Sequence, residues 1–155
     1  VTGGNAWAQK NMQGIGANAT LNIGEDGGGI GSSMKYQYNL SNYFRLEPSF
    51  SYYSVDDDGF DATFLLNGHL FFFSPRPFRP YFFAGIGYVD FQEKHSSYYY
   101  NEVENTSDFG VNAGLGIDWR MSHVLSLQVE VGPLIGVSDD DEFAGRLNIG
   151  LTYNF

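Results

Sequence analysis

The last thirteen residues of the chain, 143–155, alternate between apolar or aromatic side chains and small or polar ones. A period of two is typical of a β-strand, because successive side chains of a strand point to opposite faces. Such an apolar face has to be covered by other protein or by lipid, so the segment restricts the chain to folds built on a sheet. The apolar face carries Phe143, Gly145, Leu147, Ile149, Leu151, Tyr153 and Phe155.

The same alternation recurs in seven earlier segments. Between them lie short runs rich in Gly, Asp, Ser and Pro, residue types that favour turns. With 155 residues the chain has the length of a single domain. We therefore predict an all-β domain of eight strands, at residues 11–24, 30–40, 43–55, 60–73, 80–91, 108–120, 124–137 and 143–155.

Composition excludes several classes of function. The chain has no cysteine, which rules out a disulfide framework and a thiolate metal site. Its net charge of -10 leaves no basic surface for nucleic acid. No stretch approaches the roughly 20 consecutive apolar residues of a membrane helix. The mean hydropathy of -0.25 is nevertheless compatible with a membrane barrel, since half of each strand in such a barrel faces a polar interior.

The direction of polarity distinguishes between the possible β folds. The spacing of the turns also suits a soluble sandwich or a lipocalin-like barrel, which is apolar inside. Here one face of the strands is rich in Gly, Ser, Asn and Thr and carries charges of both signs, whereas the other is bulky and aromatic. A small polar interior with a bulky apolar exterior is the membrane arrangement. We predict a closed eight-stranded antiparallel up-and-down transmembrane β-barrel.

Two prolines conflict with this assignment, and one strand is ambiguous in phase. Pro48 and Pro133 lie within predicted strands, where proline cannot donate to the ladder. We expect a bulge or a locally unpaired position at Pro48, and Pro133 raises the same objection. In the fifth strand we predict that Gly85 and Gly87 point inward and relieve crowding there. The outward residues of that strand are then Phe82, Ala84, Ile86 and Tyr88.

Eight charged residues fall on the predicted inner face. Four acids and four bases in a filled lumen would compensate each other, and an unpaired buried charge would be costly. Three further bases, Lys10, Arg76 and Arg79, are assigned to the end with the short turns. The predicted luminal charge network consists of Lys35, Arg45, Glu47, Asp61, Asp118, Arg120, Glu130 and Arg146.

The two ends of the predicted barrel differ. An even number of strands places both termini on one side, with short turns at 41–42, 74–79 and 121–123, as expected for the periplasmic side. The opposite side carries the acidic loops at 25–29, 55–59, 91–108 and 138–142. Aromatic girdles are predicted at both interfaces. The periplasmic girdle would contain Tyr43, Phe44, Phe72, Trp119, Tyr153 and Phe155, and the outer one Tyr52, Phe60, Tyr88, Phe91 and Phe143.

Two local motifs carry a resemblance to a known family. Residues 79–88 read RPYFFAGIGY, and the sequence ends in Tyr153-Asn154-Phe155. Over residues 11–155 the chain resembles the small OmpA/OmpX-like outer-membrane barrels of the porin family. The resemblance implies the fold and a bacterial outer-membrane location with periplasmic termini, surrounded by membrane lipid and lipopolysaccharide. It also implies that Tyr153 and Phe155 form the signal that the barrel assembly machinery reads during insertion.

Residues 1–10 are expected to lie outside the barrel. Ala6-Trp7-Ala8 resembles a small-x-small signal-peptidase site, although no apolar region precedes it in this sequence. The segment is interpreted as either an N-terminal tail or a signal-peptide remnant, and the barrel is assigned to residues 11–155.

Two acidic runs are candidate cation sites. Carboxylate oxygens are the ligands that Ca²⁺ and Mg²⁺ take, but the spacing is not that of an EF-hand, so solvated turns are the favoured interpretation. Bridging cations between these loops and lipopolysaccharide phosphates are the alternative, and no resident cofactor is predicted. The runs are Asp56, Asp57 and Asp58, and Asp139, Asp140, Asp141 and Glu142.

The histidines give weak support for an enzyme. His69 is predicted to face the lumen and His123 to lie in a turn, while His95 stands beside two serines in the long loop. Some small barrels modify lipid A with His and Ser, but no surrounding motif supports that chemistry here. A pore is the other alternative, although eight strands leave an interior that side chains just fill.

The favoured function is therefore non-enzymatic. The long loop contains Tyr98, Tyr99 and Tyr100, and exposed aromatic residues often mark contacts with a partner. Tyrosines that reach down to lipid headgroups would explain the same pattern. We predict an outer-membrane barrel with a structural, adhesive or complex-subunit role. A larger outer-membrane complex is a candidate partner, and the acidic extracellular loops form the interaction surface.

Overall fold

The chain forms a closed barrel of eight antiparallel strands in sequence order. The computed structural model describes residues 10–24, 27–55, 59–73, 77–91, 106–137 and 143–155. Pairing of the first strand with the eighth closes the sheet, and the predicted fold class is confirmed. The strands are β1 (Gln13–Gly24), β2 (Gly27–Asn39), β3 (Phe44–Val55), β4 (Gly59–Phe71), β5 (Phe78–Phe91), β6 (Thr106–Arg120), β7 (Leu125–Val137) and β8 (Phe143–Asn154). No helix among the described residues has the length and apolarity of a membrane span.

Four strands begin earlier than predicted, the fourth by only one residue, at Gly59. The second strand includes Gly27, which pairs with Gly24, so the predicted turn at 25–29 is shorter than expected. Glycine favours turns but is also compatible with extended backbone, and here the ladder continues through it. The fifth strand starts at Phe78 and the sixth at Thr106, each two residues before its predicted start.

The faces of the strands are oriented as predicted. Apolar side chains such as Phe64 (53%), Leu115 (56%) and Ile149 (48%) are exposed on the outer wall. In β5, Phe82, Ile86 and Tyr88 point outward, which confirms the predicted phase of that strand. The buried side chains among the described residues are mostly polar or charged. The apolar exceptions are Tyr53, Leu65, Phe71, Tyr81, Phe83 and Leu134.

The strand prolines interrupt the ladder on one side only. Pairing between β2 and β3 lapses opposite Pro48 and resumes in the same register, while Pro48 stays paired with Leu66 of β4. Pairing between β6 and β7 lapses in the same way opposite Pro133, which stays paired with Gly145 of β8. Neither position contains an extra residue. Of the two expected alternatives at Pro48, the structure therefore has the locally unpaired position and not the bulge.

Bulky luminal side chains lie directly opposite inward-facing glycines. Tyr81 is the register partner of Gly116, and a Cβ at Gly116 would approach the Tyr81 ring to 2.4 Å. Such pairing lets a ring cover the bare backbone of the neighbouring strand. It explains how a narrow barrel accommodates large side chains in a lumen that was predicted to be mostly small and polar. The other pairs are Phe83 with Gly114, Tyr53 with Gly31 and Leu65 with Gly87.

Candidate functional site

A buried carboxylate on β6 binds two guanidinium groups from other strands. Asp118 Oδ2 accepts hydrogen bonds from Arg45 Nη2 at 2.7 Å and from Arg79 Nη2 at 2.9 Å. Both guanidinium carbons also lie over the Phe71 ring, 4.7 Å from its centroid for Arg45 and 3.8 Å for Arg79, an arrangement that adds cation–π attraction. We call these four residues the Asp118 cluster. It fixes the relative positions of β3, β5 and β6 inside the barrel.

Arg79 adds a buried base to the lumen. It lies at the turn end, where it was assigned with Lys10 and Arg76, and its Nη1 donates to the Asn42 carbonyl of the 41–42 turn at 3.4 Å. Its side chain nevertheless points into the lumen, which was not predicted. The reason is the early start of β5: Arg79 is already strand residue two and shares the inward phase of Tyr81. Lys10 is exposed, whereas Arg76 lies outside the described residues.

Further along the lumen, two glutamates converge on a histidine. His69 Nε2 on β4 lies 3.7 Å from Glu47 Oε1 of β3 and 3.7 Å from Glu130 Oε1 of β7. All three side chains are buried, and the His69 ring stacks on Tyr81 with centroids 4.6 Å apart. We call Glu47, His69 and Glu130 the Glu–His–Glu cluster.

Other luminal groups bind the carboxylates of both glutamates. Glu47 Oε2 accepts a hydrogen bond from Gln37 Nε2 at 2.6 Å and lies 3.9 Å from Lys35 Nζ. Glu130 Oε2 accepts one from Asn148 Nδ2 at 3.1 Å. The Tyr81 hydroxyl donates to Glu130 Oε1 at 2.7 Å. These contacts orient both carboxylates so that one oxygen of each faces His69.

Two further predicted luminal charges, Arg120 and Arg146, are not members of these two clusters, although Arg146 is linked to Glu130 through Asn148. Arg120 Nη2 donates to the His123 carbonyl at 2.8 Å, near the end that carries the termini. Arg146 binds Asn148 Oδ1 at 3.2 Å and Ser51 Oγ at 3.3 Å. The backbone of Asp61 lies in β4, but its side chain is outside the described part. Seven of the eight predicted charges are thus buried in the described part of the lumen, and Arg79 adds a base to the set.

Side-chain contacts cross the lumen between strands that are not neighbours in the sheet. Gln128 of β7 accepts hydrogen bonds from Lys35 and Gln37, both on β2. Arg45 with Asp118 joins β3 to β6, as described above. The polar groups of the lumen thus fill it from wall to wall, as expected for an eight-stranded barrel.

The other predicted site residues divide into two groups. Tyr153 and Phe155 are exposed on the outer wall, with ring centroids 6.4 Å apart, and His123 is exposed in the turn before β7. The loop candidates lie outside the described residues. These are Asp56, Asp57, Asp58, His95, Tyr98, Tyr99, Tyr100, Asp139, Asp140, Asp141 and Glu142.

Several contributors to the lumen had not been singled out from the sequence. Gln37, Tyr81, Gln128 and Asn148 support the glutamates or bridge strands. Tyr81 lies in the RPYFFAGIGY motif, which was interpreted only as a family resemblance, and the other three lie in no such motif. Their inward phase was the available signal, and for Gln37, Gln128 and Asn148 that phase follows from the period-two alternation of their strands. What the phase does not give is which inward residues meet.

Comparison with solved structures places this architecture among small outer-membrane barrels. No protein-family model and no curated protein matches the chain. The N-terminal β-barrel domain of Pseudomonas aeruginosa OprF superposes with a TM-score of 0.70 at 20% identity, covering 94% of this chain and 98% of that one. Neisserial surface protein A gives 0.67 at 14% identity, covering 93% and 96%.

A third similar structure is Ail, the attachment invasion locus protein of Yersinia pestis. It superposes with a TM-score of 0.59 at 17% identity, covering 94% of this chain and 99% of that one. Ail has also been solved in complex with the heparin analogue sucrose octasulfate. The fold of this chain is thus that of the small eight-stranded outer-membrane β-barrels, as its resemblance to the OmpA/OmpX-like proteins implied.

Proposed function

We propose that this chain is a non-enzymatic protein of the bacterial outer membrane, with its apolar wall against lipid and its loop end serving as an interaction surface. The observation that carries the proposal is the reversed polarity of the barrel. Leu115 and Ile149 are exposed on the wall, while Lys35, Glu47 and Asp118 are buried in the lumen. Such a distribution is stable only when an apolar solvent surrounds the wall. Membrane lipid and lipopolysaccharide supply that solvent.

The filled lumen favours an anchoring role over transport. The contacts between Gln128 and β2, and between Arg45 and Asp118, cross the space that a solute would have to pass. Opening such a path would separate buried charges from their partners, which is costly. We therefore expect negligible conductance, and the narrow-pore alternative finds no support in this packing.

The loop end is the part of the molecule left for recognition. Its acidic runs, residues 56–58 and 139–142, and the tyrosines at 98–100 lie on connections at the opposite end from the chain termini. The similar barrel Ail binds a sulfated polyanion. Acidic loops would repel such a ligand, so we propose a cationic partner, or one bridged by Ca²⁺ or Mg²⁺. A larger outer-membrane complex and an adhesive target are both compatible with this surface.

Insertion of the barrel is proposed to depend on its last strand. Tyr153 and Phe155 are exposed at the end of β8 and available to the barrel assembly machinery. Their positions at the end that carries the termini are consistent with periplasmic delivery. This role rests on the resemblance of the terminal motif to the signals of that family.

The proposal is tested by purification from the native outer membrane in mild detergent, followed by identification of co-purifying proteins. We expect a stoichiometric partner that is lost when Asp56, Asp57 and Asp58 are changed to Asn, or when the 139–142 run is neutralised. As a matched control, Lys10→Gln removes a charge at the opposite end and should leave the partner bound. Recovery of the loop variants with the partner still attached, or a discrete conductance in planar bilayers, would contradict the proposed role.

A further inference from the structure

The Glu–His–Glu cluster is an unusual arrangement for a buried site. His69 is fully buried, yet neither of its ring nitrogens makes a hydrogen bond to a described residue. The 3.7 Å separations from Nε2 to the two glutamate oxygens exceed hydrogen-bond length. A buried imidazole normally satisfies its nitrogens, because leaving them unpaired costs free energy. The cluster therefore directs the Nε2 atom of an unpaired imidazole toward one oxygen of each glutamate.

We infer that the Glu–His–Glu cluster is a binding site for one divalent transition-metal ion. Glu47 Oε1, His69 Nε2 and Glu130 Oε1 are the donor atoms, and a set of ligand atoms from these residues lies within 4.8 Å of one another. An ion such as Zn²⁺ binds nitrogen and carboxylate oxygen at roughly 2.0–2.2 Å, so donors around it stand roughly 3.3–3.6 Å apart. The observed 3.7 Å contacts differ from that spacing by only a few tenths of an ångström.

The surroundings of the cluster supply the support that a metal site requires. Each glutamate presents a single oxygen to the centre, because its other oxygen is held by Gln37 or by Asn148. Second contacts of this kind orient metal ligands and are worth about 10–100-fold in affinity. The Tyr81 ring stacked on His69 fixes the plane of the imidazole. The ligands are thus held on three different strands by groups that do not themselves bind the ion.

The charge of the cluster is compatible with a divalent cation. Two carboxylates contribute two negative charges, and Lys35 near Glu47 Oε2 offsets one of them. The guanidinium groups of Arg45 and Arg79 are engaged with Asp118. The choice of imidazole with carboxylates favours Zn²⁺, Fe²⁺ or Co²⁺ over Ca²⁺, which prefers oxygen ligands alone. Because the site is enclosed, we expect loading to accompany folding.

The test uses the full-length chain refolded in detergent micelles, with Zn²⁺ or Co²⁺ present during refolding and free metal then removed by gel filtration. We expect one equivalent of bound Zn²⁺ and, with Co²⁺, visible absorption bands from a low-symmetry site. His69→Gln and Glu47→Gln should each weaken binding by more than about 100-fold, since they remove ligands rather than supporting groups. Gln37→Ala should weaken it by about tenfold.

Two controls separate this site from the surface. His123→Asn removes an exposed histidine, and Asp56, Asp57 and Asp58 changed together to Asn remove an acidic loop. Both variants should retain one equivalent of metal. Heat-modifiable migration on gels verifies that each variant is folded, and Glu130→Gln decides the question if the His69 variant does not fold. Absence of bound metal in the folded wild-type chain, retention of metal by the luminal variants, or its loss in either control would overturn the inference.

Discussion

At the scale of single residues, the lumen is organised by a few buried charges whose partners come from other strands. Asp118 is the clearest case, because two guanidinium groups share one of its oxygens. Removing a carboxylate of this kind leaves the opposite charges buried without compensation, which is far more costly than losing a neutral hydrogen bond. The stability of the barrel should therefore respond unevenly to changes of its luminal polar residues.

Asp118→Ala should lower the free energy of unfolding by about 3–5 kcal/mol, since Arg45 and Arg79 both lose their carboxylate. Ser126→Ala is the matched control: its hydroxyl accepts a 2.9 Å hydrogen bond from Asn154, so the loss should be about 1 kcal/mol. Urea titration of the barrel folded in lipid vesicles measures both. Equal effects of the two changes would show that the Asp118 cluster contributes no special stability.

At the scale of strands, the packing of the lumen depends on pairs in which a large side chain on one strand lies opposite a glycine on the next. Tyr81 opposite Gly116 and Phe83 opposite Gly114 place the rings across the bare backbone of β6. A side chain at either glycine would displace a ring that also contacts other luminal groups, and Tyr81 itself donates to Glu130. These glycines are therefore needed for close approach between strands.

Gly116→Ala should destabilise the barrel by about 1–3 kcal/mol, because the new methyl group would meet the Tyr81 ring at 2.4 Å. Gly145→Ala provides the control, since the contact that a Cβ there makes with the described residues is with a carbonyl oxygen at 3.4 Å. The double variant, with both Tyr81→Ala and Gly116→Ala, should lose less stability than the sum of the losses in the two single variants. Strict additivity in this double-mutant cycle would contradict the proposed pairing.

The faces of the strands were predictable from the sequence, whereas the luminal contacts were not. A period of two residues assigns Leu147 and Ile149 to one face and Asn148 to the other whatever the details of pairing. The inward direction of the Arg79 side chain was missed because prolines on either side of it obscured the start of β5. The meeting of Glu47, His69 and Glu130 depends on strand tilt and stagger, which set the height of each residue in the barrel and leave no trace in local sequence.

At the scale of the whole molecule, the barrel has the polarity of a protein dissolved in lipid. Among the described residues, the outer wall is apolar, and the charged side chains other than Lys10 are buried in the lumen. This reversed polarity supports the proposed function, because an apolar wall is unstable in water. When lipid covers the wall, the two ends of the barrel are left for recognition. A charged side chain introduced on this wall should therefore destabilise the barrel by an amount that depends on its depth in the membrane.

Ile149→Arg, near the middle of β8, should cost about 2–4 kcal/mol of stability in a bilayer. Leu125→Arg, at the first residue of β7, should cost about 0–1 kcal/mol, since the side chain reaches the interface. Reversible unfolding from vesicles compares the two variants. A similar cost at both depths would argue against a membrane-spanning wall.

The most direct test of the reversed barrel is a cysteine scan along β8, which is straightforward because the chain has no native cysteine. Single cysteines at positions 147 to 152, folded into lipid vesicles and spin-labelled, report collisions with oxygen dissolved in lipid and with a water-soluble nickel complex. We predict high oxygen contact at 147, 149 and 151 and low contact with both reagents at 148, 150 and 152. Strong nickel contact at the odd positions would place the wall in water and contradict the account.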